Sequence, residues 1–79
     1  MKFTQYFLST RLRDDRKDIQ LEWIERVKSR PLRTVIQQDG RIRLWGMISV
    51  SGEDRYLRVV LLEDGETIHN VFFDRGFKL

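Results

Sequence analysis

Hydrophobic residues recur at helical spacing between Ile19 and Arg30. The apolar positions of this stretch fall on one side of a helix, and charged or polar residues occupy the others. These apolar positions are Ile19, Trp23, Ile24 and Val27. Asp18 is placed to cap the helix, and Pro31 ends it because the residue before a proline is disfavoured in the helical region. The pattern therefore predicts one amphipathic helix.

After Pro31 the hydrophobic period shortens to that of strands, and short turn sequences separate the segments. The residues Gln38 to Gly40 are typical of a hairpin, since Asp and Gly tolerate the positive φ of tight turns. Further turns are predicted at 51–54 and 63–66. The four predicted strands are Leu32–Gln37, Arg41–Val50, Tyr56–Leu62 and Thr67–Asp74. The third is almost continuously apolar, which predicts a central strand.

The segment before the helix has no single interpretation. Phe3–Leu8 fits a strand, and Ser9–Arg16 fits one or two helical turns with Ser9 as cap. The whole chain, residues 1–79, is predicted to be one α+β domain, with an N-terminal helix or helices packed on one face of a four-stranded antiparallel sheet. The predicted core joins two apolar sets across that face. They are Trp23, Ile24 and Val27 on the helix, and Leu57, Val59 and Leu61 on the strand.

Composition narrows the class of protein. The 79 residues carry 15 Lys and Arg against 12 Asp and Glu, a net charge of +3, and no cysteine. Disulfides, thiolate zinc sites and cysteine nucleophiles are excluded. The first residues lack a signal-peptide core, so we expect a cytoplasmic protein without membrane contact. No cofactor is expected, and no metal either, because His69 has no acidic neighbours at a known ligand spacing.

The uncovered face of the sheet is where function is expected. Arg41, Arg43 and Trp45 share that face on the second strand, and Tyr56 and Arg58 join them on the third if the register permits. Arginines interleaved with aromatic rings can contact phosphates while stacking on bases. The alternative is structural: the arginines pair with acids such as Glu66, and Trp45 covers the rim of the core.

His69 is the only histidine and the side chain best suited to proton transfer near neutral pH. It lies in the last predicted strand, where it either faces outward or packs inward as a structural residue. The sequence does not decide between these two interpretations.

Several short sequences resemble the RelE-like and BrnT-like domains of bacterial toxin–antitoxin modules. They are Arg16, Ile19, Trp23, Ile24, Val27 and Pro31, then 39–43, 57–60 and 73–75. The resemblance implies helices on a curled antiparallel sheet, and a toxin-like component that inhibits translation by metal-independent cleavage of RNA or by acting on the ribosome, with a small antitoxin as protein partner.

The same resemblance implies roles for individual residues. Catalysis would rest on His69, Tyr56 and Arg58, with a proton-transferring group beside an arginine that stabilises the phosphorane. The pattern of arginines and aromatic rings on the uncovered face assigns RNA binding to Arg41, Arg43, Trp45 and Arg58. A non-catalytic domain that binds another protein through this face or through an exposed strand edge is the alternative.

Overall fold

The computed structural model describes residues 1–79 as two helices on one face of a five-stranded sheet. The elements in chain order are β1 (Lys2–Phe3), α1 (Gln5–Thr10), α2 (Leu21–Ser29), β2 (Arg33–Ile36), β3 (Ile42–Val50), β4 (Glu53–Leu61) and β5 (Thr67–Phe73). The sheet order is β1-β5-β4-β3-β2. The α+β class is confirmed, and β4 is the central strand, as its apolar sequence predicted.

The sheet is mixed, so the prediction of four antiparallel strands is wrong in part. β2 to β5 form an antiparallel meander, but β1 adds a fifth strand that pairs in parallel with β5 at its edge. Two residues are too few to show a period of two, and a parallel partner 65 residues away leaves no local turn signal. This short strand places the start of α1 beside β5.

The N-terminal segment resolves into a short strand followed by a short helix. Thr4, not Ser9, caps α1: its Oγ1 accepts a hydrogen bond from the Phe7 N–H at 3.0 Å. Phe7 packs into the core, and residues 11–18 form turns instead of a continued helix.

The predicted amphipathic helix exists as α2, with a later start than expected. It begins after Gln20, whose side chain makes no capping bond, so the predicted Asp18 cap is wrong. Ile19 is buried but lies before the helix begins. Ile24 and Val27 are each 1% exposed, whereas Trp23 is only half-buried against Phe73. The predicted core is therefore confirmed except at Trp23.

Strand alternation sorts the side chains as predicted. In β3, Leu44 and Ile48 join the core under the helices, and Leu57 and Val59 meet them from β4. The residues between them point to the opposite face of the sheet. Gly46 lies on the helix side, where α2 passes closest to β3.

Turn chemistry sets the strand register. Ser51 and Gly52 both have positive φ and connect Val50 to its partner Glu53, so β4 begins three residues before the predicted Tyr56. The hairpin predicted at Gln38 to Gly40 is present, with residues 37–41 as its loop. Neither helix has the length and apolar character needed to cross a membrane.

Candidate functional site

The face of the sheet opposite the helices, called the open face below, carries a row of arginines and aromatic rings. It runs across the strands in the order Arg16, Phe72, Arg58, Trp45, Phe77, Arg33. Successive members lie between 4.9 and 5.5 Å apart, measured from guanidinium carbon to ring centroid or between ring centroids. These distances are those of cation–π and stacking contacts. Arginine and aromatic side chains therefore meet on this face. Of the residues predicted for it, only Arg58 and Trp45 belong to the row.

Trp45 is covered by the C-terminal segment. Its side chain is only 7% exposed, with the Phe77 ring stacked on it and its Nε1–H donating to Asp74 Oδ2 at 2.9 Å. Tyr56 makes an edge contact with the same Phe77 ring at 4.9 Å. The ring of Trp45 therefore packs on the protein itself, which matches the structural alternative for this residue.

Arg58 lies at the centre of the open face, between the Trp45 and Phe72 rings. Its Nη1 is 3.8 Å from Asp74, and its Nε is buried without a hydrogen-bond partner. Burial lowers the pKa of the guanidinium, nearby Arg43 lowers it further, and Asp74 opposes both effects. A partly desolvated cation with an unused donor is suited to binding an anion.

An open cleft of about 390 Å³ lies beside Arg58. Its lining is rich in hydrogen-bond donors and contains no carboxylate. The lining residues are Tyr6, Gln37, Arg41, Arg58, Val60, His69 and Asn70. The cleft is therefore a local region of positive charge on a protein whose overall charge is small.

The cations around the cleft are only weakly neutralised. Arg41 Nε is 3.8 Å from Asp39, but both side chains are about half exposed, and Asp39 also accepts a bond from the Arg41 backbone N–H at 3.0 Å. Such a solvated pair contributes little. When the Gln37 amide is oriented with its oxygen towards Arg43, that oxygen accepts a hydrogen bond from Arg43 Nε at 2.8 Å. This contact connects Arg43 to the cleft wall.

His69 faces the cleft and is held on two sides. Its Nδ1 is 3.1 Å from Thr4 Oγ1, and its ring stacks on Tyr6 with centroids 4.9 Å apart. Desolvation lowers the pKa of the imidazole, and the positive charge of Arg41 lowers it further. The neutral form is therefore dominant at pH 7.

Asn70 extends the donor-rich lining. Its Oδ1 accepts from Arg16 Nη1 at 2.8 Å, which leaves the amide nitrogen, a donor, for other partners. Arg16 itself is well buried on the rim, with its Nε lacking a hydrogen-bond partner.

Three of the sequence-predicted site residues come together in the cleft: Arg41, Arg58 and His69. Arg43 is adjacent through Gln37. Tyr56 lies apart, in a second hollow with Asp54, Asp74 and Glu53, and Trp45 is covered. The structure thus divides the predicted residues between a basic cleft and a mixed-charge hollow.

Sequence reasoning missed Tyr6, Gln37 and Asn70 as cleft residues. Tyr6 belongs to a six-residue helix that carries no clear period, and it reaches the cleft only because β1 docks α1 beside β5. Of these three residues, only Asn70 could have been indicated by the sequence, because it directly follows His69. No three His, Cys, Asp or Glu side chains converge in a group that could hold a metal ion.

No protein-family model matches the chain, and no curated protein or solved structure is significantly similar to it.

Proposed function

We propose that this protein is a toxin-like component of a bacterial toxin–antitoxin module that binds single-stranded RNA in the open-face cleft. One observation carries the proposal: Arg41, Arg58 and His69 surround one open cleft with no carboxylate in its lining. Arginine guanidinium groups match phosphate oxygens in a bidentate manner. A phosphodiester backbone is the abundant polyanion that such a cleft would take.

The aromatic surroundings favour RNA in single-stranded form. Tyr6 is 44% exposed and its ring stacks on His69, so the exposed part of the ring is accessible to a nucleobase. Base stacking on aromatic side chains contributes about 1 to 3 kcal/mol per base in single-stranded complexes. Unstacked bases are available in loops and single strands and not in a duplex.

The catalytic version of the proposal is metal-independent cleavage of the bound strand. The 2′-hydroxyl oxygen attacks the adjacent phosphorus, and the bond from phosphorus to the 5′ oxygen breaks. The 2′-hydroxyl loses its proton to a base and the 5′ oxygen gains one from an acid, which yields a cyclic phosphate and a 5′-hydroxyl. Arg41 and Arg58 would stabilise the negative charge of the phosphorane, and His69, the third of these cleft residues, would act on the same group.

Salt dependence of RNA affinity tests the binding claim. The Arg41→Gln variant removes one exposed cation of the cleft, and Arg26→Gln removes an exposed cation of α2 on the opposite side of the sheet. We expect Arg41→Gln to weaken binding of a short single-stranded RNA and to lower the slope of log K against log salt by about 0.7. Arg26→Gln should leave both unchanged.

Equal effects of these two variants would contradict the cleft as the binding site. No RNA binding at low salt by the folded wild-type chain would overturn the RNA proposal altogether.

Cleavage is tested separately with His69→Gln. On the catalytic version, this variant keeps RNA affinity within a few fold and loses cleavage, because the imidazole acts on the reacting phosphate and the arginines hold the backbone charge. Retained cleavage would exclude His69 from the reaction. Growth arrest on induced expression, absent in the His69→Gln variant, is the expected cellular result.

An exposed edge strand favours a second candidate function, the binding of another protein by strand addition. β2 pairs only with β3, and all four of its residues are exposed, with Ile36 71% exposed. An unpaired strand edge with apolar side chains can accept a further strand. Failure to bind RNA, together with a partner interaction that is lost in Ile36→Lys, would favour this function over the first.

A further inference from the structure

Thr4 makes two side-chain contacts at the point where α1 meets β5. Its Oγ1 accepts a hydrogen bond from the Phe7 N–H at 3.0 Å and lies 3.1 Å from His69 Nδ1. The Thr4 backbone N–H donates to the Ile68 carbonyl at 3.0 Å, which fixes Thr4 against β5. One residue therefore caps the helix and holds the imidazole.

We propose that Thr4 is a positioning residue that keeps neutral His69 in the Nε2–H tautomer, so that His69 meets a phosphate in the cleft as a hydrogen-bond donor and not as a base. The proposal rests on the function proposed above. It deepens that function by assigning the imidazole to the phosphate side of the reaction.

The count of donors and acceptors selects this tautomer. A threonine hydroxyl has one proton to donate, and its oxygen already accepts from the Phe7 N–H. If Thr4 donates to a bare Nδ1 of His69, then the Phe7 N–H, the Thr4 hydroxyl and Nδ1 all have partners. If Nδ1 instead donates to Thr4, the hydroxyl proton has no acceptor among the contacts of this side chain. A half-buried hydroxyl favours the arrangement that satisfies every group.

The ring has little freedom to turn away from this arrangement. Tyr6 covers one face at 4.9 Å with an angle of 25° between the rings, and Thr4 holds the Nδ1 edge. Nε2 lies on the ring edge opposite the Thr4 contact, and His69 lines the cleft with Arg41 and Arg58. An Nε2–H there adds an imidazole donor to the two guanidinium groups.

This donor set fits a phosphate group and disfavours proton abstraction by His69. The charges that share the cleft with the imidazole are cationic: Arg41 lies just before β3, and Arg58 belongs to β4. A bare Nε2 would place a lone pair towards a bound anion, whereas Nε2–H donates to it. The 2′-hydroxyl proton would then leave to another group or to water.

Because His69 is the only histidine, its two nitrogens can be read directly by ¹H–¹⁵N long-range NMR of the intact protein without RNA. We expect a pyrrole-type signal from Nε2 and a pyridine-type signal from Nδ1 at pH above the imidazole pKa. Thr4→Ser keeps the hydroxyl and should keep this pattern. Thr4→Val removes the hydroxyl, and we expect averaged signals from mixed tautomers and an RNA affinity weaker by at most a few fold, because RNA binds the part of the population that carries Nε2–H.

Loss of the helix cap is controlled with Thr4→Gly, which lacks the hydroxyl yet retains most of the capping preference. Thr4→Gly should reproduce the mixed tautomers while α1 stays folded. A wild-type pattern with the proton on Nδ1, or a Thr4→Val pattern identical to wild type, would overturn the inference.

The two proposals fail separately. RNA binding to the cleft with the proton on Nδ1 would overturn only the role of Thr4. The expected tautomer without RNA binding at low salt would overturn the proposed function and, with it, the phosphate contact of His69.

Discussion

Gly46 allows α2 to approach β3, and adding one methyl group there should strain the packing. A Cβ at position 46 would lie 2.7 Å from Val27 Cγ2, 3.3 Å from its Cβ and 3.4 Å from its Cγ1. The first distance is far below van der Waals contact. Valine in a helix has one strongly preferred side-chain rotamer, so Val27 cannot turn its methyl aside without cost. Relief requires movement of the helix relative to the sheet.

The expected cost follows from overpacking a dense core. Inserting a methyl into a well-packed interior typically destabilises by about 1 to 3 kcal/mol. A marginally stable domain has about 5 to 15 kcal/mol in total, so the loss is a large fraction of it. For a chain of this length each kcal/mol corresponds to about 4 to 8 °C in Tm. We expect Gly46→Ala to lower Tm by roughly 4 to 24 °C.

A double-mutant cycle with Val27→Ala isolates the contact. Val27→Ala alone should destabilise, because it removes two buried methyl groups of about 0.8 kcal/mol each and leaves a cavity. In the double variant the new methyl enters that cavity, so the combined loss should be at least ~1 kcal/mol smaller than the sum of the single losses. Urea unfolding followed by circular dichroism gives the free energy of unfolding of all four proteins, with the m-value of each variant required to equal that of wild type. Additive losses, or a Gly46→Ala variant as stable as wild type, would refute the close approach.

Three further measurements test the fold and its titrating groups. Ile24→Ala should lower the free energy of unfolding by about 2 to 5 kcal/mol, and by more than Trp23→Ala, because Ile24 is fully buried and Trp23 is only half-buried. The reverse order in urea unfolding would contradict this packing. Folding lowers the pKa of His69, so the unfolded chain binds more protons and the free energy of unfolding should fall as pH drops below about 6.5; this slope should disappear in His69→Gln. Hydrogen bonds from Thr67 and the backbone lower the pKa of Asp64 to about 2, so its contribution to stability is present above pH 3.8 and is lost as pH falls through about 2; Asp64→Asn should unfold with a smaller acid dependence over that range.

The helix and the meander were predictable because their signals are local. Alternation in β3 separated Ile42, Leu44 and Ile48 from Arg41, Arg43 and Trp45, and the structure keeps these two sets on opposite faces. Glycines at the turns marked the hairpins, where Gly40, Gly52 and Gly65 all have positive φ. Such features depend on neighbours within a few residues, so they can be predicted directly from the sequence.

The candidate site was predictable only in part. Arg41, Arg58 and His69 were identified by residue type, and the strand register brings them to one cleft. Trp45 was assigned to the same face correctly, but nothing local indicated that Phe77 would cover its ring. Tyr56 was named because its strand was predictable from the sequence, and Tyr6 was missed because the position of α1 was not.

By itself the sequence determined the α+β class, the order of α2 and the meander strands, and the face on which each meander side chain lies, since periods of 3.6 and 2 are properties of the chain alone. The tertiary structure decided the parallel pairing of β1 with β5, the contact of Thr4 and Tyr6 with His69, and the cover of Phe77 over Trp45. Each of these joins residues at least 20 positions apart. Contacts of that kind follow from how the whole core packs, and no local pattern specifies them.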